Sequence, residues 1–315
     1  MNGLLAAGRY YNFFGRPMIE KKFPGYLNRL AAGLAGEGSE CFGFDDRIST
    51  DHDWGPGFCI WLNEMDFEDI GNDLQEEYNN LPCEFAGITY RKRTESGIKR
   101  TGVFEINSFY EKFTGLNSPP SNWNEWINIK ETNLASCTNG KIFHDSLGEF
   151  SGYRKKLLEF YPEEVRLKKI ADRCFVISRE GQYNFIRCAA RGESVAASLA
   201  EAKFIEASVS LAFLINWSYT PYYKWMHRAL YYLPVLGVKL HELLHKLSSV
   251  YFCGNAEEMF NSKAELIETI CGYIIEELNR QQISSIKSPF LMDHCPAIIN
   301  LIDNPELRDF PPVEI

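Results

Sequence analysis

The chain has no surplus of positive charge: 33 Lys and Arg stand against 42 Asp and Glu, a net charge of −9. Non-specific nucleic-acid binding needs the opposite balance to neutralise phosphates, so no nucleic-acid partner is expected. Long apolar runs are missing as well. The most apolar stretch, 195–217, is interrupted by Glu201, Lys203 and Glu206, and neither a membrane span nor a membrane partner is expected. Residues 1–17 lack both the basic start and the unbroken apolar stretch of a secretory signal, so the expected compartment is the cytoplasm. Paired cysteines are also lacking. The nine cysteines are scattered, none in a C-x-x-C pair, which argues against a disulfide framework and against a cysteine zinc site. There is no internal repeat.

What remains is ordinary globular material, 45% hydrophobic and 24% charged over 315 residues. That length suits about two domains of roughly 150 residues each. The two halves differ in texture. Residues 30–115 are rich in Gly, Asp and short β-prone runs, and strands are expected at 58–62, 84–90 and 102–106, flanked by helices at 17–32 and 67–79. Pro119 and Pro120 mark a connector. Beyond about residue 150 the pattern is helical: 153–160, 162–182, 194–219, 222–233, 237–251 and 256–280 each repeat apolar residues every three or four positions. The expected fold class is α+β: a domain with a small mixed β-sheet over 1–122, then an all-helical bundle over 123–315.

The most informative segment is 36–54. Asp51 and Asp53 stand two apart at the head of a β-prone run, and in a strand such residues point to one face. Two carboxylates converging there suit Mg²⁺, a hard cation that completes its shell with water and substrate phosphate. Twelve positions before Asp51, Gly38-Ser39 offers backbone N–H groups and a hydroxyl, a ready anion site for a phosphate tail. A phosphate cradle beside a metal pair implies nucleotidyl transfer. The bland alternative is a solvated Asx-rich turn. Asp45 and Asp46 lie inside the spacer and are themselves able to recruit cation.

With Gly-Ser, the spacer and Asp-x-Asp in this order, the sequence resembles the nucleotidyltransferase superfamily that includes DNA polymerase beta and the aminoglycoside nucleotidyltransferases. Segments 141–145, 161–166, 182–184 and 222–225 further resemble one bacterial family of predicted nucleotidyltransferases that carries a domain-of-unknown-function label, over residues 10–305. The resemblance implies a sheet with helices on one face, packed against a helical bundle. It implies nucleotide binding by Gly38 and Ser39, and one or two Mg²⁺ ions on Asp51 and Asp53. Glu105 is the best-placed third acid, as metal ligand or as general base. The implied reaction moves a nucleoside monophosphate, with ATP the favoured donor, onto a hydroxyl of an unidentified small molecule or protein and releases pyrophosphate. A non-catalytic nucleotide-sensing or interaction module of the same fold is the alternative.

Other constellations compete. His241-Glu-Leu-Leu-His245 matches the zinc-protease helix signature, with two imidazoles on one face and a Glu beside them. Against it, Lys239 and Lys246 flank the motif and no third ligand is evident, so the histidines are expected on the polar flank of a bundle helix. Lys224 is read either as a point charge for the β- or γ-phosphate or as a snorkelling side chain beside aromatic residues. Arg187 and Arg191 share a helical face suited to an anion or to surface ion pairs. Gly181 with Gln182-Tyr183-Asn184 marks a helix break, and His144-Asp145 is expected on a loop.

Overall fold

The computed structural model describes residues 2–49, 54–85, 87–89, 100–250 and 256–313; Asp51 and Asp53 lie outside the described residues. In chain order the elements are α1 (Gly3–Tyr10), α2 (Arg16–Lys22), β1 (Ala31–Leu34), β2 (Cys59–Leu62), α3 (Glu64–Asn79), β3 (Glu84–Phe85), β4 (Ile88–Thr89), β5 (Gly102–Glu105), α4 (Ile106–Thr114), α5 (Trp123–Asn128) and α6 (Glu131–Thr138). They continue with β6 (Lys141–Asp145), α7 (Glu149–Leu158), α8 (Glu163–Ile177), α9 (Ile186–Ala190), α10 (Ser194–Ile215), α11 (Tyr223–Leu230), α12 (Gly237–Ser249), α13 (Ala256–Arg280), α14 (Cys295–Ile299) and α15 (Pro305–Arg308). Two compact units result, one of Met1–Pro120 with Asn133–Glu159, the other of Ser121–Thr132 with Phe160–Ile315.

The first unit is built on a four-stranded mixed sheet in the order β5-β2-β1-β6. β1 runs antiparallel to both β2 and β6, whereas β2 and β5 are parallel. β1 falls where a helix over 17–32 is expected. The helix stops at Lys22 because Pro24 disfavours helical backbone at Phe23, whose φ and ψ are −131° and 48°. The chain is then free to extend at Ala31, and all four β1 residues are buried. Small side chains suit this strand. A Cβ on Gly33 would lie 2.6 Å from the Lys141 carbonyl oxygen, at the point where the β1–β6 register shifts.

Alternation along the strands separates two apolar layers, so helices cover both faces of the sheet and not one. On one face Leu30, Ala32, Ile60, Leu62 and Val103 pack with Tyr10 and Tyr11, Ile19 of α2, and Ile70 and Leu74 of α3. On the other face Trp61 stacks on Phe150 of α7 at 3.9 Å and meets Phe109 of α4 edge-on at 5.4 Å. The expected single strand over 84–90 is instead two short antiparallel strands, reversed at Gly87, whose φ of +77° favours glycine.

The second unit is helical in its described residues. α10 is apolar on nearly every side and is buried accordingly, from Ala207 to Ile215 without interruption. The helix expected over 162–182 follows regular α geometry only to Ile177. It then widens into π-helical turns over Ser178–Phe185, where a Cβ on Gly181 would lie 2.3 Å from the Phe204 ring of α10. Among its buried apolar residues α8 also carries a buried polar cluster. Arg173, fully buried, donates to Glu131, Ser210 and the Val313 carbonyl, each at 2.8 Å, while Asp172 accepts from Lys168 and from the Val313 amide. Burial alone pushes the Glu131 carboxyl up; Arg173 and Lys169, with the Thr220 and Ser210 hydroxyls, more than offset this and hold it low. Burial drives the Lys169 ammonium down from 10.5 to about 8, against the attraction of Glu131.

Candidate functional site

The strand directions decide which loops meet. β2 is antiparallel to β1 and β5 is parallel to β2, so the C-terminal end of β1 lies beside the N-terminal ends of β2 and β5. Gly36–Gly38 leaves β1 there, and a cleft forms between this loop, Gly55, Gly57 and Arg100.

Several side chains hold the loop. Gly36 is buried with φ +130°, a backbone region closed to residues with a Cβ, and its two polar groups are bracketed by one amide. Its N–H donates to Asn139 Oδ1 at 3.0 Å, and Asn139 Nδ2 donates to its carbonyl at 2.7 Å. Next door, the Gly140 amide donates to the Cys41 carbonyl at 2.9 Å, and a Cβ on Gly140 would overlap the Leu34 carbonyl oxygen at 1.8 Å. Glu37 pairs with Lys112 of α4 at 2.7 Å, and Glu40 lies 3.5 Å from Arg100. Gly38 has extended backbone; its small size matters because a Cβ would meet Glu40 Oε1 at 2.2 Å and Arg100 Nη2 at 2.5 Å.

Ser39 opens a single 3₁₀ turn, Ser39–Phe42, closed by Gly43 at φ +71°, and its hydroxyl lies 3.4 Å from Glu40 Oε2. Gly38 and Ser39 therefore sit together at the end of β1, with the Arg100 guanidinium over Gly38. Cys41 behind them is no nucleophile: burial pushes its thiol well up, and Glu40 adds to the effect.

Glu105 is not brought to this cleft. It closes β5 at the opposite end, in register with Leu62, and caps α4 by accepting from the Asn107 and Ser108 amides. Three strand steps of about 3.3 Å separate it from Gly102. Asp45 and Asp46 also have local duties: Asp45 Oδ2 accepts from the Gly3 amide at 2.8 Å, and Asp46 forms an Asx turn with the Ile48 and Ser49 amides. His144 and Asp145 lie on β6 and not on a loop. His144 Nε2 is 2.7 Å from the Leu27 carbonyl, and Asp145 accepts from the Gly148 and Ser151 amides at the start of α7.

In the second unit Lys224 is exposed near the start of α11. His241 of α12 stacks on His227 of α11 at 4.1 Å with an interplanar angle of 19°, and His245 is 6.2 Å from His227. Stacking turns ring faces toward each other, whereas metal ligation needs in-plane nitrogen lone pairs to converge. Among the described residues no group of three His, Cys, Asp or Glu is arranged to hold a metal ion, and no helix is long and apolar enough to cross a membrane.

Sequence reasoning missed Arg100, Lys112 and Asn139. Only Asn139 carried a local signal, because Asn-Gly is a turn dipeptide.

Comparison with known proteins adds three findings. The family described as Domain of unknown function (DUF4037) matches residues 126–226, a stretch that includes Lys224 and excludes Gly38, Ser39, Asp51, Asp53 and Glu105. No curated protein matches the chain. Among solved structures the chain is similar to a nucleotidyltransferase-like protein from Exiguobacterium sibiricum 255-15, at 9% identity and a TM-score of 0.37, over 91% of this chain and 90% of that one.

Proposed function

We propose that the protein is a metal-dependent nucleotidyltransferase that moves a nucleoside monophosphate, AMP from ATP in the first instance, onto an acceptor hydroxyl. The observation that carries this reading is the pinned Gly38-Ser39 loop beside Arg100. Gly55 and Gly57 line the same cleft, two and four residues after Asp53 in the sequence. In this reading the Ser39 hydroxyl, the loop amides and Arg100 bind the triphosphate, and the Arg100 guanidinium offers a planar fork that matches phosphate oxygens.

Magnesium on Asp51 and Asp53, whose hard oxygen donors suit it, supplies charge stabilisation at the phosphate oxygens when bound. The residues orient the triphosphate so that the acceptor oxygen attacks the α-phosphorus, the bond to the bridging oxygen breaks, and pyrophosphate leaves. Glu105, which caps α4 at the far end of β5, takes no part at the Gly38 cleft, and the acceptor's hydroxyl proton passes to solvent.

The test is transfer from labelled nucleoside triphosphates to a metabolite extract and to the protein itself, read by mass spectrometry. Asp51→Asn and Asp53→Asn each cut transfer on the order of 10²–10³-fold with little loss of stability, because each removes a charge that matters most in the transition state. Glu105→Gln separates catalysis from capping: loss of the cap alone lowers stability by about 1 kcal/mol and leaves turnover per folded molecule unchanged. Transfer that survives both aspartate substitutions refutes the reading.

A further inference from the structure

We propose that the face of α4 next to the Gly38 cleft is the nucleobase subsite of the triphosphate site, shaped for a base that carries an amino group. The proposal rests on the nucleotidyltransferase reading. It starts from the turn between β5 and α4. Glu105 fixes the first turn of α4, so Ser108, Phe109, Lys112 and Phe113, spaced i, i+1, i+4 and i+5, fall on one side of the helix. With Phe104 of β5 they line a second cleft.

This cleft shares Ala35, Glu37 and Arg100 with the first, so the two are halves of one groove. The halves differ in chemistry. One end holds the glycines and the guanidinium, as a phosphate chain requires. The other presents Phe104, half-buried and edge-on to Phe109 at 6.1 Å and 67°, backed by the buried Phe109 and Phe113, with the Lys112 ammonium over the Phe113 ring. An aromatic wall joined to a cationic one fits a flat heterocycle carrying phosphates, since a base stacks on an aromatic face whatever its sequence identity.

The rim adds selectivity. The Glu37 carboxylate, paired with Lys112 and more than two-fifths exposed, has lone pairs to spare and accepts hydrogen bonds only. It favours a base with an exocyclic amine. Lys112 and the exposed Ser108 hydroxyl offer donors to a ring nitrogen or carbonyl beside that amine.

The experiment is calorimetric titration of the full chain with ATP, UTP and inorganic tripolyphosphate, all with magnesium. Wild type binds ATP more tightly than either of the others. Phe104→Leu, which keeps apolar volume but removes the π-face, weakens ATP roughly tenfold or more and leaves tripolyphosphate unchanged, and Phe104→Tyr restores ATP affinity. Glu37→Gln narrows the gap between ATP and UTP. Tripolyphosphate bound as tightly as ATP, or ATP affinity untouched by Phe104→Leu, overturns the subsite and leaves the nucleotidyltransferase reading standing. A wild-type chain that binds none of the three overturns both.

Discussion

Asn139→Ala tests how the Gly36–Gly38 loop is held. The substitution removes both hydrogen bonds that bracket Gly36, at 3.0 and 2.7 Å, and leaves a buried N–H and a buried carbonyl without these partners. A neutral hydrogen bond contributes about 1 kcal/mol net, and an orphaned buried group costs about 1–3 kcal/mol. Two such groups, with partial relief from entering water, give an expected loss of about 2–4 kcal/mol, a large share of the roughly 5–15 kcal/mol that a domain has. Asn139→Asp is the sharper control. It keeps the acceptor facing the Gly36 amide but sets a carboxylate oxygen against the Gly36 carbonyl, so it is at least as damaging as Ala. Urea unfolding gives the total, and amide exchange over residues 31–41, read by mass spectrometry, gives the local part. Magnesium-ATP affinity falls with it, because the loop no longer rests in one conformation. A loss below about 0.5 kcal/mol with unchanged exchange at Gly36 would refute the bracket.

Two further predictions concern the second unit. Arg173→Met strands Glu131 inside the protein and releases the Val313 carbonyl, so it destabilises by about 3–5 kcal/mol, and Arg173→Lys does not rescue it because one ammonium cannot serve three separated acceptors; a loss under about 1 kcal/mol in urea contradicts this. For Lys169 the folded chain gives up its proton near pH 8 and the unfolded chain near 10.5, so between these values the unfolded state binds more protons and this group's contribution to stability rises with pH, while below pH 8 it is flat. Wild type therefore gains on Lys169→Met by about 1 kcal/mol per pH unit between 8 and 10, and parallel profiles for the two proteins would sink the assignment.

Much of this architecture was legible in sequence, and the exceptions have physical reasons. β2, β5 and the long helices of the second unit show clear periodicity, and Glu163 and Glu164 open α8 as acidic residues suit a helix start. β1 was hidden because Leu27, Leu30, Ala31 and Leu34 also fit helical spacing, and only Pro24 marked the break. The edge strand β6 is five residues long with a charge at either end, which disguises it as a loop. In the candidate site, Gly38 and Ser39 could be singled out because they are adjacent and precede a spaced acidic pair in the sequence. Arg100, Lys112 and Asn139 were not, since each meets the loop across 60 or more residues and no local pattern encodes such a pairing.

Those long-range contacts carry a consequence for how the site forms. The segment 36–41 is anchored by Arg100 before β5, by Lys112 on α4, and by Asn139 and Gly140 before β6. None of these partners lies in β1 or in the 3₁₀ turn that follows it. Residues 36–41 alone gain only that one short turn, which is marginal in water. The loop therefore reaches its final geometry only when β5 and β6 have docked on either side of the β1–β2 pair. Closing the sheet and shaping the Gly38 cleft are then one event. A loop held this way by the fold itself would cost little binding energy to order. It is also exposed to damage from afar, because a substitution at Asn139 alters the loop 103 residues earlier. Mutations that weaken β6 should thus reduce nucleotide affinity in proportion to the protection lost at Gly36, whereas mutations in α13, which belongs to the other unit, should leave that protection unchanged.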